Sequence, residues 1–396
     1  MSSSNRVRIA FIAESTYGVT PGSGNFSSAR FTSENLSGTP DTVESQQIRT
    51  DRLSSGQVVV GLAVAGDLQI ELAKELQLDA LIESAMFSTW DSVSAVTVDL
   101  EVDATAKTIE RSTGNWNTGT PVVVGDFLTL AGFVNTANNV QVMVAEIVST
   151  SVIRYAGPTL VDEVGSGTSF DRADKIAIGT TKKSFSMEKA FLDLTTKAIN
   201  YRGMIANTFA LNFAHGELAT GSIGFSGNDY ETADSAGEFI TNARTIDAAA
   251  TSQTLNGSID MPFFASSESG DLDLTGLDLQ SLSISLNNNL TPQNVIGNIA
   301  PRNYSEGTAQ ISIELAAYLT NAAWAILPYK LVQTPIAIGF QVKNTDGWYG
   351  FYLPAVQLTF EDPASGGQNQ DILLNATGVA KVGALGEKSM TIYRGT

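Results

Sequence analysis

The single histidine, His215, is where nucleophilic or imidazole-based metal chemistry would have to begin in this chain. It stands in the polar run His215-Gly216-Glu217 between two apolar stretches, which is the pattern of a hairpin turn. One histidine cannot build an imidazole metal site, and without cysteine a zinc site would need carboxylates. A serine–histidine–aspartate triad would have to use His215, yet no serine sits in a G-x-S-x-G elbow. Asp271, Asp273 and Asp278 offer oxygen ligands of the kind calcium takes. Their spacing lacks the following glycine and the distant bidentate glutamate of a calcium loop, so a polar strand or turn is the better reading. Carboxylate pairs for glycoside hydrolysis are set by spatial separation, which spacing along the chain does not show. No dense run of aromatics suggests a sugar cleft, and Trp324 and Trp348 lie in core-like patterns. The glycines at 165, 167, 366 and 367 are not flanked by the strand-then-helix unit of a phosphate loop. The residues therefore predict no catalytic, cofactor or metal site. The chain reads as a structural protein and not an enzyme.

The elements that would carry any function are strands. From Val58 to Val64 the chain is β-branched, and after Ala65-Gly66 it alternates, with Leu68, Ile70 and Leu72 on one face and Asp67, Gln69 and Glu71 on the other. This predicts one long, half-buried strand. From about Lys74 the period changes, and Leu78, Leu81, Ile82, Ala85 and Met86 form the stripe of a short amphipathic helix ending near Phe87. Ahead of that strand, Ser33 to Gln57 is almost wholly polar and reads as a long loop. Its functional reading is an arm that orders against a neighbour, with Arg49, Asp51 and Arg52 pairing across the contact.

Short strands are expected at Val7–Ile12 and at Ala29–Thr32. Residues 93–179 alternate in short runs with turns at Gly114-Asn115, Gly119-Thr120-Pro121 and Asn138-Asn139, which predicts a separate small β-barrel or sandwich. Residues 1–92 and 180–396 would form the main body. Strands are expected at Phe185–Leu194, in a hairpin Met204–Phe213 and Leu218–Phe225, around Leu282–Leu286 and around Ile311–Leu315. A second hairpin joins Ile336–Val342 to Trp348–Phe360, and strands near Ile372–Ala376 and Met390–Arg394 close the chain. Gly227 to Ala250 reads as a second mobile loop. A short helix is expected at Asn321–Leu327, capped by Thr320 or Asn321 and limited by Pro328. No repeat of solenoid or propeller length is present. The fold class is all-β with two minor helices.

Composition narrows the function classes. Hydrophobic residues at 43% against 16% charged describe a globular chain, not a disordered one. The absence of cysteine excludes a disulfide scaffold. No apolar run is long enough to cross a bilayer as a helix, and the start lacks a secretory core, so the sequence predicts a soluble protein made inside a cell. The net charge of −18 and the lack of a Lys/Arg cluster exclude tight nucleic-acid binding through a basic surface. Such acidity repels phosphate, which acquires meaning only where DNA passes close by.

Three groups of segments then carry a family resemblance. They are AESTYGVTPGSG, RFTSENLSGTPDTVESQQIRTDR and GDLQIELAKELQLDALIESAM in the first quarter, GDFLTLAGFVNTANNVQVMVAEI in the middle unit, and FSMEKAFLD, YRGMIANTFALNF, GELATGSIGFSG, GFYLPAVQLTF and GGQNQDILLNATGVA beyond it. Together, and in this order, they resemble the siphophage tail tube proteins, also called major tail proteins. The resemblance implies a tail-tube-type β-sandwich or barrel with one or two short helices and an inserted small β domain. It implies hexameric rings stacked into a hollow non-contractile tube, assembled in the host cytoplasm and ending in the virion, with DNA leaving through the lumen. It also implies contacts with itself and with tail terminator, tape measure and distal tail proteins, and no membrane partner. Carried onto this chain, Ser33–Gln57 is the arm that reaches the adjacent ring, Lys74–Phe87 the helix on the sheet, and 93–179 a decoration of the outer surface. The competing readings are a β-rich adhesion or carbohydrate-binding protein, which a glycan screen would reveal, and a β-rich glycosidase, which a sugar-release assay would reveal.

Overall fold

β-Branched and alternating runs become strands along the chain, as the side-chain period of two requires. The computed structural model describes residues 2–194, 197–233, 245–258, 260–266, 277–365, 367–384 and 386–395. Among these residues the main sheet has eighteen strands. The principal ones, in chain order, are β1 (Val7–Ala13), β2 (Ser37–Glu44), β3 (Gln57–Glu71), β4 (Ser184–Phe191), β5 (Lys197–Ala214), β6 (Thr220–Gly227) and β7 (Asp229–Ala233). They continue with β8 (Asp260–Ser266), β9 (Leu279–Asn287), β10 (Gln310–Tyr318), β11 (Ile336–Lys343), β12 (Trp348–Phe360), β13 (Leu373–Ala380) and β14 (Thr391–Gly395). Three helices are short: α1 (Leu76–Met86), α2 (Asn321–Ile326) and α3 (Tyr329–Val332). The fold is all-β.

The helix stripe read from the sequence is the buried face of α1: Leu78, Leu81, Ile82, Ala85 and Met86 are all in the core. The helix lies on β5. Thr320 caps α2, its hydroxyl accepting from the Ala323 N–H at 3.2 Å. Where β5 crosses β11 and β12, Phe213 meets Phe340 and Phe351 at centroid separations of 5.3 and 5.6 Å. Aromatic contact of this kind adds to the area these rings bury.

Several expectations need correction. The second short strand is Phe26–Ser28, not Ala29–Thr32. Ser33–Gln57 is no loop: Ser33–Glu34 and β2 both pair with β3, so that only 45–56 is a connecting tip. The segment after Gly227 begins with β7, paired to β5, while 234–244 lies outside the described residues. In both places a polar sequence conceals a strand, because ladder hydrogen bonds are made by backbone whatever the side chains are. Trp324 is 62% exposed on α2 and does not pack in the core, whereas Trp348 is buried.

The strands between Val96 and Arg172 pair only with one another, forming an eight-stranded sheet around Leu100, Ile109, Trp116, Leu128, Val142 and Phe170. Within the segment expected as an insert, Asp174–Ala177 instead joins the main sheet beside β14. The small sheet rests on the main body through Phe127, which lies 5.4 Å from Trp348 and 5.1 Å from Tyr393. Beneath that contact the fully buried Asp126 accepts from Lys175 Nζ at 2.9 Å and from Tyr393 OH at 3.1 Å. Burial, with Asp126 beside it, pushes the Tyr393 phenol far above its usual range.

Two further buried carboxylates matter to stability. Asp79 on α1 accepts from Lys74 Nζ (2.7 Å), Arg394 Nη1 (2.8 Å) and Tyr349 OH (2.6 Å), tying the helix to β12 and β14. Glu188 on β4 accepts from Arg8 Nη2 at 2.9 Å through Oε1, while Oε2 has no partner among the described residues. Burial raises the Glu188 pKa above its ordinary 4.5, and the Arg8 contact only partly offsets it. A raised carboxyl pKa means that the folded state holds the proton more tightly than the unfolded chain. Stability from this group is then complete below the unfolded value and falls as pH rises through the folded one. The melting-temperature advantage of wild type over Glu188→Gln should therefore shrink as pH rises from about 4.5 toward neutrality. A widening advantage in a pH series of melting curves would contradict this.

Candidate assembly interface

The most conspicuous surface feature is the arm formed by β2, the tip 45–56 and the first residues of β3. Register places Val43 opposite Val58 and Glu44 opposite Gln57, so the two strands continue as a ribbon to the tip. Val58 (65%), Val59 and Val60 are all exposed, as is Val43. This corrects the expectation of a half-buried strand: at these residues β3 has one flanking strand and no covering layer, whereas Val64, Leu68 and Ile70 further along are buried. A two-stranded ribbon is marginal alone in water, and a row of exposed valines on it is an apolar surface awaiting a partner.

Gly66 lies opposite the break between the Ser33–Glu34 and β2 ladders. It sits at φ +154°, and a Cβ there would fall 2.5 Å from the Leu36 Cα. The break between Ser33–Glu34 and β2 is thus accommodated by a residue without a side chain.

At the tip, Arg49 and Asp51 satisfy each other in a bidentate pair, Nη2 to Oδ2 at 2.5 Å and Nε to Oδ1 at 2.9 Å. The pair raises the guanidinium pKa and lowers that of the carboxyl. Arg52 turns into the left-handed region at φ 60° and has no ion-pair partner among the described residues. Ile48 and Leu53 beside them are solvent-exposed.

A second protrusion, 288–309, was not legible as such in the sequence. Its short ladder pairs Thr291 with Ser305 and Pro292 with Tyr304. It folds back against the base of the arm: Leu62 N–H donates to the Ile299 carbonyl at 2.8 Å, and Tyr304 OH to the Gly227 carbonyl at 3.0 Å. Ile296 at its end is fully exposed. The run of Asn, Pro and Gly in this stretch signals turns and hides the packing of Tyr304.

The residues considered for chemistry are dispersed. His215 occupies the β5–β6 turn and lines a cleft of about 320 Å³ with Asp278, Gln280 and Ser258. Asp271 and Asp273 lie outside the described residues. Among the described residues no three His, Asp or Glu side chains gather as a metal-ligand set, and no helix is long and apolar enough to cross a membrane.

Comparison with curated proteins finds no match. Comparison with protein families matches residues 4–380 to the family described as phage tail tube protein. The match spans both the arm and the small sheet, and this chain, an all-β structural protein of the virion, belongs to the phage tail tube family.

Proposed function

We propose that the chain is the repeating subunit of a non-contractile tail tube, closing into rings with six positions around a lumen through which DNA leaves. The arm carries this reading: a ribbon with unpartnered valines and a charged tip is stable only against another surface. Rings stack through the arm, with Arg49, Asp51 and Arg52 meeting the neighbouring ring. The Arg49–Asp51 pair holds the tip in shape, and Arg52 is the cation left to engage an acidic partner. The net charge of −18 keeps phosphates from adhering in the lumen. Residues 93–179 decorate the outside. Assembly takes place in the host cytoplasm, and tail terminator, tape measure and distal tail proteins meet the two ends and the interior of the tube. The subunit catalyses nothing.

Sedimentation tests this. The double variant Arg49→Glu/Arg52→Glu gathers three acids at the tip, and it should shift the chain from pelletable tubes to rings or monomers with an unchanged melting curve. Tubes that form equally well in the variant would remove the tip from the stacking contact. A collapsed melting curve would show that it serves the monomer's own fold.

A further inference from the structure

The strands β1–β7 and β8–β14 follow one pairing diagram. In the first set β4 pairs with β1 and β5, β5 with β6 and β7, and β3 with β6 and β2. In the second, β11 pairs with β8 and β12, β12 with β13 and β14, and β10 with β13 and β9. Registers correspond too. The β4–β5 ladder ends with Ser184 opposite Ile205, and the β11–β12 ladder with Ile336 opposite Val356. Glu71 opposite Thr220 matches Tyr318 opposite Leu373. Each set has a protrusion between its second and third strands and a helix after its third. That helix rests on the fifth strand, α1 on β5 and α3 on β12. The main body is one β unit built twice.

The two units are joined by a strand pairing. Past Ile205, where β4 stops, the same side of β5 is taken by β9, from Thr208 opposite Asn287 to Ala214 opposite Ser281. The buried Asn288 fastens the junction, its Nδ2 donating to the carbonyls of Ala85 at 2.9 Å and Ala206 at 3.2 Å.

The same junction stands half-made at each end of the chain. On β12 the matching stretch is Thr359–Ser365: β11 stops at Val356, and β13 holds the other side through Thr377, Ala376 and Asn375. Among the described residues no strand pairs with it on the β11 side. The stretch matching Ser281–Asn287 is Ser33–Thr39, since Leu282 faces Leu315 on β10 as Glu34 faces Leu68 on β3. Its outer edge likewise has no strand partner among the described residues.

We infer that a second copy of this chain completes the junction: Ser33–Thr39 of one copy adds antiparallel to Thr359–Ser365 of the next, repeating β9 on β5. The contact is head-to-tail, and so it propagates until it closes a ring. Each chain fills two successive positions, and a ring of six positions holds three chains, not six. The chain count rests on the tube reading above, whereas the edge pairing stands on the duplicated topology alone.

Cysteine cross-linking tests it cleanly, because the sequence contains no cysteine. Register transferred from β5–β9 sets Ser37 opposite Glu361, both exposed. The Ser37→Cys/Glu361→Cys chain, oxidised after assembly, should give a ladder ending at a closed three-chain band. A mixture of the two single variants should stop at dimers. Tubes whose chains stay monomeric on the non-reducing gel would overturn the edge pairing alone. A ladder without tubes would uphold the pairing and overturn the tube reading, and neither product would overturn both. Native mass of rings from the unmodified chain gives a check free of substitutions: three chains are expected, and six overturn the two-position assignment.

Discussion

Val58→Asp/Val60→Asp is expected to abolish tube formation at concentrations where the wild type assembles fully, while the monomer melts as before. Val58 lies opposite Val43 and Val60 is the extra residue of the bulge between Val59 and Gly61; both are exposed in the single chain, so the monomer loses no buried contact. In the assembled state each would bury apolar surface contributing about 1.5 kcal/mol or more. Losing both raises the critical concentration by about a hundredfold or more, since each 1.4 kcal/mol is a factor of ten. The carboxylates would also have to be desolvated without a partner at every contact around the tube. Light scattering against concentration measures this directly. A variant that assembles at the wild-type threshold would show that these residues are exposed in the tube as well.

The second large effect concerns the monomer. Asp79→Ala should cost about 3–5 kcal/mol in chemical denaturation, the range for removing one partner of a buried charge network. Lys74 would remain mostly buried without its carboxylate, Arg394 would keep only Asp174, and Tyr349 OH would lose its acceptor. Tyr349 is already held well above its usual pKa by burial with Asp79 beside it, and it would stay a protonated, unpaired donor. Because the network fastens α1 to β12 and β14, assembly should fail in this variant through unfolding. A loss below about 1 kcal/mol would mean that water substitutes for the carboxylate.

Much of this architecture was legible in the residues, and where it was not the reason is physical. Alternation disclosed β3 beyond Gly66, β9 and β10, because one face of each is buried against the core, whereas β11 and β12 are buried on both faces and were legible as apolar, aromatic-rich runs on either side of a turn. The α1 stripe was legible for the same reason. β2 and β7 were not: apart from Val43 and Tyr230 they carry mostly small or polar side chains with no alternation, and backbone pairing makes them strands. The exposure of Val58–Val60 could not be read either, since a β-branched run looks the same whether a layer of its own chain or of a neighbour covers it. Trp324 shows the same ambiguity on a helix. Of the tip residues, the Arg49–Asp51 pair turned out to lie within one chain, which spacing of two does not reveal. The duplication was invisible because the two units share pairing and register, not residues. Segment 45–56 with Arg49 and Asp51 has little in common with 288–309, although both occupy the same place in their unit.

The most direct test of the tube itself is electron microscopy of the purified chain alone, across concentration and salt. Hollow rings or tubes of uniform diameter are the predicted result. Monodisperse single chains under every condition would contradict self-assembly and leave the exposed arm in need of another partner.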